Sequence, residues 1–239
     1  MKVRVLAMGE ILWDLLPTGA QMGGAPANFA YHARALGAEA GVVTRVGSDA
    51  LGQALQRRLE AWRLPLDLVQ VDAQAPTGTV TVALSGEGIP SYTIHEPVAW
   101  DRLEPSDATL SAAREAAAIC FGSLAQRAEP SRGTIHHLLR LSPAGALRIF
   151  DINLRQHFYS REVIEASLRL ANVLKLNETE LPVLAVGLLQ NVDLDDINLA
   201  ANEVARHVCS CAGATLPSPE SMRESFVGLG GTDAGAPAN

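Results

Sequence analysis

Apolar residues recur in short blocks separated by polar, glycine-containing turns. Residues 3–8 alternate and then run apolar up to Gly9, which predicts a buried strand. Residues 26–36 predict a helix, with Pro26 suited to its first turn and Gly37 to its C-terminal stop. Residues 41–46 form a β-branched run. The turn Gly47-Ser48-Asp49 and a helix over about 51–62 follow. Strand and helix alternating through short links predict an α/β fold, a mostly parallel sheet covered on both faces.

Residues 77–84 and 91–95 break that rhythm. Thr79-Val80-Thr81-Val82-Ala83-Leu84 alternates with period two, and Gly86-Glu87-Gly88 supplies a turn before Tyr92-Thr93-Ile94. This predicts a hairpin with one polar face, either a lid over a site or an edge hairpin. The alternation then resumes. Strands are expected at 117–121, 147–152 and 173–176, and helices at 130–141 and 162–170. Asn177-Glu178-Thr179-Glu180 has the composition of a helix start. After Leu189 the pattern fails. Residues 195–209 offer one more helix, with Leu199, Val204 and Val208 on an apolar face. Residues 216–239 read as a disordered tail rich in Pro, Ser and Gly.

Composition narrows the function classes. The 239 residues are 48% apolar but only 5% aromatic, so Ala, Leu, Val and Ile must build the core. The net charge of −7, with Lys2 and Lys175 as the only lysines, argues against nucleic acid or an anionic membrane surface as partner. No apolar run reaches the ~20 residues of a membrane span. Three cysteines, with only Cys209 and Cys211 close together, predict reduced thiols in a cytoplasmic protein and no zinc site.

In an open parallel sheet, ligands bind beyond the carboxyl ends of the strands. The residues just after the predicted strands are Gly9, Glu10 and Asp14; Gly47, Ser48 and Asp49; Gly122, Ser123, Gln126 and Arg127; Asp151, Asn153 and Arg155; and Lys175, Asn177 and Glu180. The sharpest feature is Gly23-Gly24-Ala25-Pro26-Ala27-Asn28. Two glycines let a ligand approach the backbone, and the helix behind them offers unpaired N–H groups. Asn28 presents a donor and an acceptor, as vicinal hydroxyls require. The same pair also suits a plain helix-start loop.

Gly-Gly-Ala-Pro-Ala-Asn-Phe-Ala from Gly23, with Leu36-Gly37 and Val46-Gly47-Ser48-Asp49-x-x-Gly52, resembles the N-terminal signature of the ribokinase-like (PfkB) carbohydrate kinases. Gly9-Glu10-Ile11-Leu12-Trp13-Asp14, Tyr92 to Ala99-Trp100-Asp101, Gly122-Ser123-Leu124, Asp151-Ile152-Asn153-Leu154-Arg155 and Leu174-Lys175-Leu176-Asn177-Glu178-Thr179-Glu180 follow in that family's order. The Trp-Asp pair and the Asp-x-Asn-Leu-Arg run resemble the fructokinase branch most. The resemblance implies a three-layer sandwich with a small β lid, residues 1–215 forming one domain with the hairpin 77–96 inserted. It implies ATP and Mg2+ as cofactors and a fructose-like sugar as substrate. Asp14, Gly24 and Asn28 would hold sugar hydroxyls, and Arg155 would meet substrate or phosphate. Lys175, Asn177 and Glu180 would serve the phosphate and its magnesium, through water rather than as direct metal ligands. A homodimer through the lid or an open sheet edge is the macromolecular partner to expect.

One family element is missing. Its Gly-Ala-Gly-Asp stretch supplies the catalytic base and the anion hole, and no Gly-x-Gly-Asp occurs in this sequence. Gly230-Gly231-Thr232-Asp233 resembles it only superficially, with no helix pattern after it. From Asn198 onward the chain resembles the family's final helix, so the nucleotide-binding part is expected to be largely deleted near 189–197. At ~30 residues per strand–helix unit, two or more units would be gone. Loss of the base costs about 10²–10⁴ in rate, and loss of an anion-hole donor about 10²–10³. The expectation is a family member with impaired catalysis. The alternative is a non-catalytic sugar-binding or defective remnant of a sugar kinase.

Overall fold

The computed structural model describes residues 3–84 and 90–177. The chain divides into two units, Met1–Ile152 with Glu162–Lys175, and Asn153–Arg161 with Leu176–Asn239. The expected turn at 86–88, Glu180, the join near 189–197, the helix over 195–209 and the tail over 216–239 lie outside the described residues.

In the first unit, β1 (Arg4–Met8) lies centrally in a six-stranded sheet. It is flanked by β4 (Glu39–Gly47) and then β5 (Val69–Asp72) on one side. On the other side come β8 (Ala118–Gly122), β9 (Leu147–Asp151) and β10 (Val173–Lys175). Every pairing is parallel. Met8 sits beside Val43 and Phe121, and Asp151 beside both Gly122 and Lys175. The carboxyl ends of four strands therefore share one rim.

Alternate residues of the strands face opposite helix layers. Ala7, Val42 and Val46 pack with Ala27 and Ala30 of α1 (Ala25–Ala35) and Leu55 and Leu59 of α2 (Ala50–Ala61). Leu6 and Gly41 instead face Ala108 and Ala112 of α3 (Asp107–Glu115), which also packs on α4 (Glu129–Leu141). A fifth helix, α5 (Arg161–Leu170), buries Val163, Ile164 and Ser167. The helix ends follow from local chemistry. Ser106 and Thr109 cap α3 reciprocally, and the Asp49 carboxylate accepts from Gly52 N at 2.8 Å to start α2. The buried strands are those the apolar runs predict.

The small sheet is larger than the expected hairpin. Strands β6 (Gly78–Leu84) and β7 (Pro90–Ile94) pair antiparallel as predicted. However, β2 (Leu12–Leu16) joins β6 in parallel, and β3 (Gly19–Gly23) joins β2 antiparallel. The sheet thus has four strands in the order β3-β2-β6-β7. Leu-Trp-Asp-Leu-Leu does not alternate and Gly-Ala-Gln-Met-Gly has little strand preference, so both are strands by virtue of their partners. Strand β5 and helix α3 were likewise absent from the sequence pattern.

The turn after β4 is held by one carboxylate. Asp49 accepts from Gly52 N, Thr77 N and Thr77 Oγ1 at 2.7–2.8 Å, and Thr77 Oγ1 in turn accepts from Gly47 N at 3.0 Å. Burial alone would raise the Asp49 pKa, but hydrogen bonds from Thr77, Gly52 and Leu51 outweigh it and leave the pKa below the usual value. Asp49→Ala is expected to cost about 0.5–2 kcal/mol of stability in a chemical melt. Because the folded pKa lies below the unfolded one, this contribution is complete above about pH 4 and fades as pH falls through the folded value. The difference between native protein and variant should therefore shrink only in strong acid.

Candidate active site

The site is built where the chain leaves the large sheet, crosses into the small one and returns. Gly9 follows β1 with φ +142°, and a Cβ there would lie 3.0 Å from Pro26 Cγ and 3.2 Å from Ala125 Cβ. Gly24 has φ +112°, and its Cβ would lie 2.5 Å from the Glu10 carbonyl oxygen and 3.1 Å from Ile11 Cα. Both positions thus combine a left-handed backbone with no room for a side chain. Gly24 is also the N-cap of α1, so its backbone stands at the positive end of that helix without a capping side chain. Gly24 O accepts from Asn28 N at 3.1 Å, which places Asn28 in the first turn. Its side chain is exposed.

Asp14 is not in a loop after β1, as the sequence suggested, but in the middle of β2, paired with Gln21 and Val80. Its carboxylate rests on the bare Cα of Gly23: a Cβ there would overlap Asp14 Oδ2. Burial raises the pKa of this half-buried group. Asp14, Gly23, Gly24 and Asn28 are therefore assembled around one backbone turn. An acidic acceptor, one partly exposed backbone position at Gly24 and an exposed carboxamide within one turn suit a polyhydroxylated ligand.

Other rim residues hold the fold instead. Asp49 caps α2. Gln126 is fully buried, its amide nitrogen donating to Gly122 O at 2.7 Å and to Ser167 Oγ at 2.9 Å. Arg127 makes a bidentate pair with Asp101 at 2.7 and 2.8 Å, donates to His95 O at 3.0 Å and stacks 4.0 Å over the Trp100 ring. Asp101 also accepts from Val98 N at 3.0 Å. His95 directly follows β7 and bonds Thr81 of β6 at 2.8 Å, and Trp100 packs on Gly78 at the start of β6. Arg127 thus fastens the small sheet's hairpin to the segment behind β8. Position in the sequence places Arg127 at the rim but does not show its pairing with Asp101.

Lys175 and Asp151, adjacent in register on β10 and β9, form an ion pair at 2.9 Å. The ammonium is half exposed, so it keeps a face toward solvent. Below it, the Cys120 thiol is pushed up to about 12 by burial first and by the Asp151 and Glu10 carboxylates next, with Lys175 opposing. Cys120 is therefore a neutral core thiol without nucleophilic character.

Arg155 and Asn177 belong to the second unit. There Arg155 is exposed and donates to Leu154 O at 3.0 Å, between Asn153 and Gln156, which have φ of 32° and 49°. Asn177 is also exposed.

A parallel sheet with helices on both faces, a small sheet springing from its rim and a Gly-Gly helix start beside an aspartate is the architecture of a sugar kinase fold. Residues 18–186 match the pfkB family carbohydrate kinases, and the chain belongs to that family. It is 33% identical over 193 residues to a fructokinase of Klebsiella pneumoniae, covering 76% of this chain and 62% of that one. It is also 33% identical over 192 residues to a fructokinase of Escherichia coli, with 75% and 62% covered. Among solved structures, the apo fructokinase of Vibrio cholerae O395 superposes with a TM-score of 0.65 at 28% identity, covering 76% of this chain and 66% of that one. The fructokinase of Xylella fastidiosa with bound ATP gives 0.68 at 25% identity, with 88% and 66% covered. The chain spans about 62% of the length of the curated relatives it matches.

Removing one partner of a buried, hydrogen-bonded pair leaves the other charge uncompensated. Arg127→Leu is therefore expected to cost about 3–5 kcal/mol. Chemical denaturation checks this, and a loss below about 1 kcal/mol, the value of a surface pair, would show that Asp101 is not buried against it.

Proposed function

We propose that this chain is the sugar-binding core of an ATP-dependent carbohydrate kinase, with a ketohexose such as fructose as the acceptor. The observation that carries the reading is the half-buried Asp14 carboxylate lying on Gly23, one residue from the Gly24–Asn28 helix start. Asp14 would accept from two sugar hydroxyls, Gly24 would meet the sugar with its backbone, and Asn28 would bond a neighbouring hydroxyl. The four-stranded sheet would exclude water from them. The fructokinase relatives and the Trp100-Asp101 and Asp151-x-Asn153-Leu154-Arg155 runs support fructose.

ATP would supply the transferred phosphoryl group. Lys175 fits a phosphate contact, since it is a half-exposed point charge that Asp151 orients at 2.9 Å. Asn177 and Glu180 would attend the magnesium-bound phosphate through water, and Arg155 would meet substrate or phosphate. We expect a cytoplasmic protein that self-associates through the small sheet or an open edge of the large one.

The sequence contains no Gly-x-Gly-Asp, so these 239 residues by themselves are expected to turn over slowly. That observation also favours a second reading, a non-catalytic sugar-binding protein. Sugar-dependent thermal melts and ATP consumption separate the possibilities. Fructose at about 100 times its Kd should stabilise the fold by about 2.7 kcal/mol, and Asp14→Asn should abolish that shift while the variant still melts cooperatively. No shift with fructose, ribose or any other sugar would remove the sugar site. Turnover at ordinary kinase rates, about 1–100 per second, would instead show that another group supplies the base.

Acid should weaken the binding in a defined direction. Asp14 must be ionised to accept from two hydroxyls, and burial raises its pKa above the usual aspartate value. The fructose-induced shift should therefore be full at neutral pH and fade as pH falls through that raised value. The loss begins at higher pH than for an exposed aspartate. A shift that persists unchanged down to about pH 4, the ordinary aspartate range, would mean that Asp14 does not touch the ligand.

A further inference from the structure

Helices α4 and α5 flank an open cleft of about 310 Å³, lined by none of the residues of the site above, with Gly133 and Ala166 leaving its space open. Arg132, His136 and Arg140 follow one another at four-residue intervals and so line one face of α4 toward it. Arg132 is paired with Glu129 one turn earlier. Among the described residues, Arg140 and Glu162 of α5 make no ion pair or side-chain hydrogen bond, though both line the cleft.

His136 is held in a defined state. The Gln126 amide nitrogen donates to Gly122 O and Ser167 Oγ, so its oxygen faces the imidazole, 2.8 Å from Nε2. Nε2 must then carry the hydrogen, which leaves Nδ1 with a lone pair and no partner among the described residues. A proton added to the ring goes to Nδ1 and creates a donor there. Burial opposes this first, and Arg140 and Arg132 oppose it further, with Glu129 as the counterweight, so the His136 pKa is lowered. At the ring the two arginines outweigh the glutamate. Arg140, which has no ion-pair partner among the described residues, is the positive group of the lining that an anion would satisfy.

We propose that the α4–α5 cleft binds a tetrahedral oxyanion, either free phosphate or the head of a phosphate monoester. Arg140 and Arg132 supply the charge, and His136 donates from Nδ1 once protonated. Anion and proton are then taken up together, since each stabilises the other. The charged groups around the imidazole are Glu129, Arg132 and Arg140 on α4 and Glu162 on α5, while Gln126 and Ser167 behind it are neutral.

Sulfate is the suitable first probe, because it stays a dianion across the titration of histidine. Its binding to the full chain is read from the ring proton resonances of His136, assigned by their loss in His136→Gln. The expected result is a saturable shift, a rise in the titration midpoint of that ring, and binding about tenfold tighter near pH 6 than near pH 8. Arg140→Ala, an exposed substitution, should weaken binding by about tenfold or more. The unchanged resonances of the other histidines would show that the variant is folded. Competition by inorganic phosphate and by glycerol phosphate then assigns the source: tighter inorganic phosphate names the free ion, tighter glycerol phosphate the monoester. A shift that rises linearly without saturating, or one that Arg140→Ala leaves intact, would overturn the site.

Discussion

The contact on which this architecture depends is between two stretches of backbone. Residues 9–11, leaving the large sheet, lie directly against residues 24–26, returning from the small one. At Gly24 the approach is so close that a Cβ would reach the Glu10 carbonyl oxygen at 2.5 Å. A contact of this kind has no side chain to adjust, so its geometry is fixed by the absence of atoms. It sets the exit angle of β2, the position of the first turn of α1, and with them the distance between Asp14 and Asn28. The candidate sugar site is thus a by-product of how the chain crosses between two sheets.

Around that crossing, most polar groups at the rim serve the scaffold. Asp49 satisfies the start of α2 and the entry to β6 together. Asp101 and Arg127 join the hairpin to the segment behind β8, and Gln126 ties α4 and α5 to the end of β8. With these groups fixed by packing and hydrogen bonds, Asp14, Asn28 and Lys175 remain at least partly exposed at the rim. Side chains carried on such a frame would lose little freedom if a ligand arrived.

The large sheet was legible in the sequence because each of its central strands is buried on both faces and reads as a continuous apolar run. The start of α1 was legible because Gly-Gly-x-Pro has few other uses. The small sheet was only half legible. Thr79 to Leu84 alternates, but Leu12 to Leu16 carries an aspartate where a strand core would continue, and Gly19 to Gly23 begins and ends in glycine. Those two segments are strands through long-range pairing, which no local window contains. The same limit applies to the site. Asp14 and Gly24 could be named from the family motifs, but the contact between Asp14 and Gly23 depends on a hairpin that local propensity does not announce. Arg127 was visible as a charge near the rim, and its partner Asp101 lies 26 positions away with nothing in the intervening sequence to connect them.

The mixed pairing of the small sheet has a consequence for anyone wishing to move or redesign it. Its middle two strands come from opposite sides of an α/β unit, residues 12–15 running alongside 78–81. A cassette taken from 77–96 alone would arrive with one long hydrogen-bonding edge bare, and the donor protein would keep β2 with a matching gap. The small sheet is therefore stitched from two lengths of thread, and neither can be pulled out without opening the seam in the other.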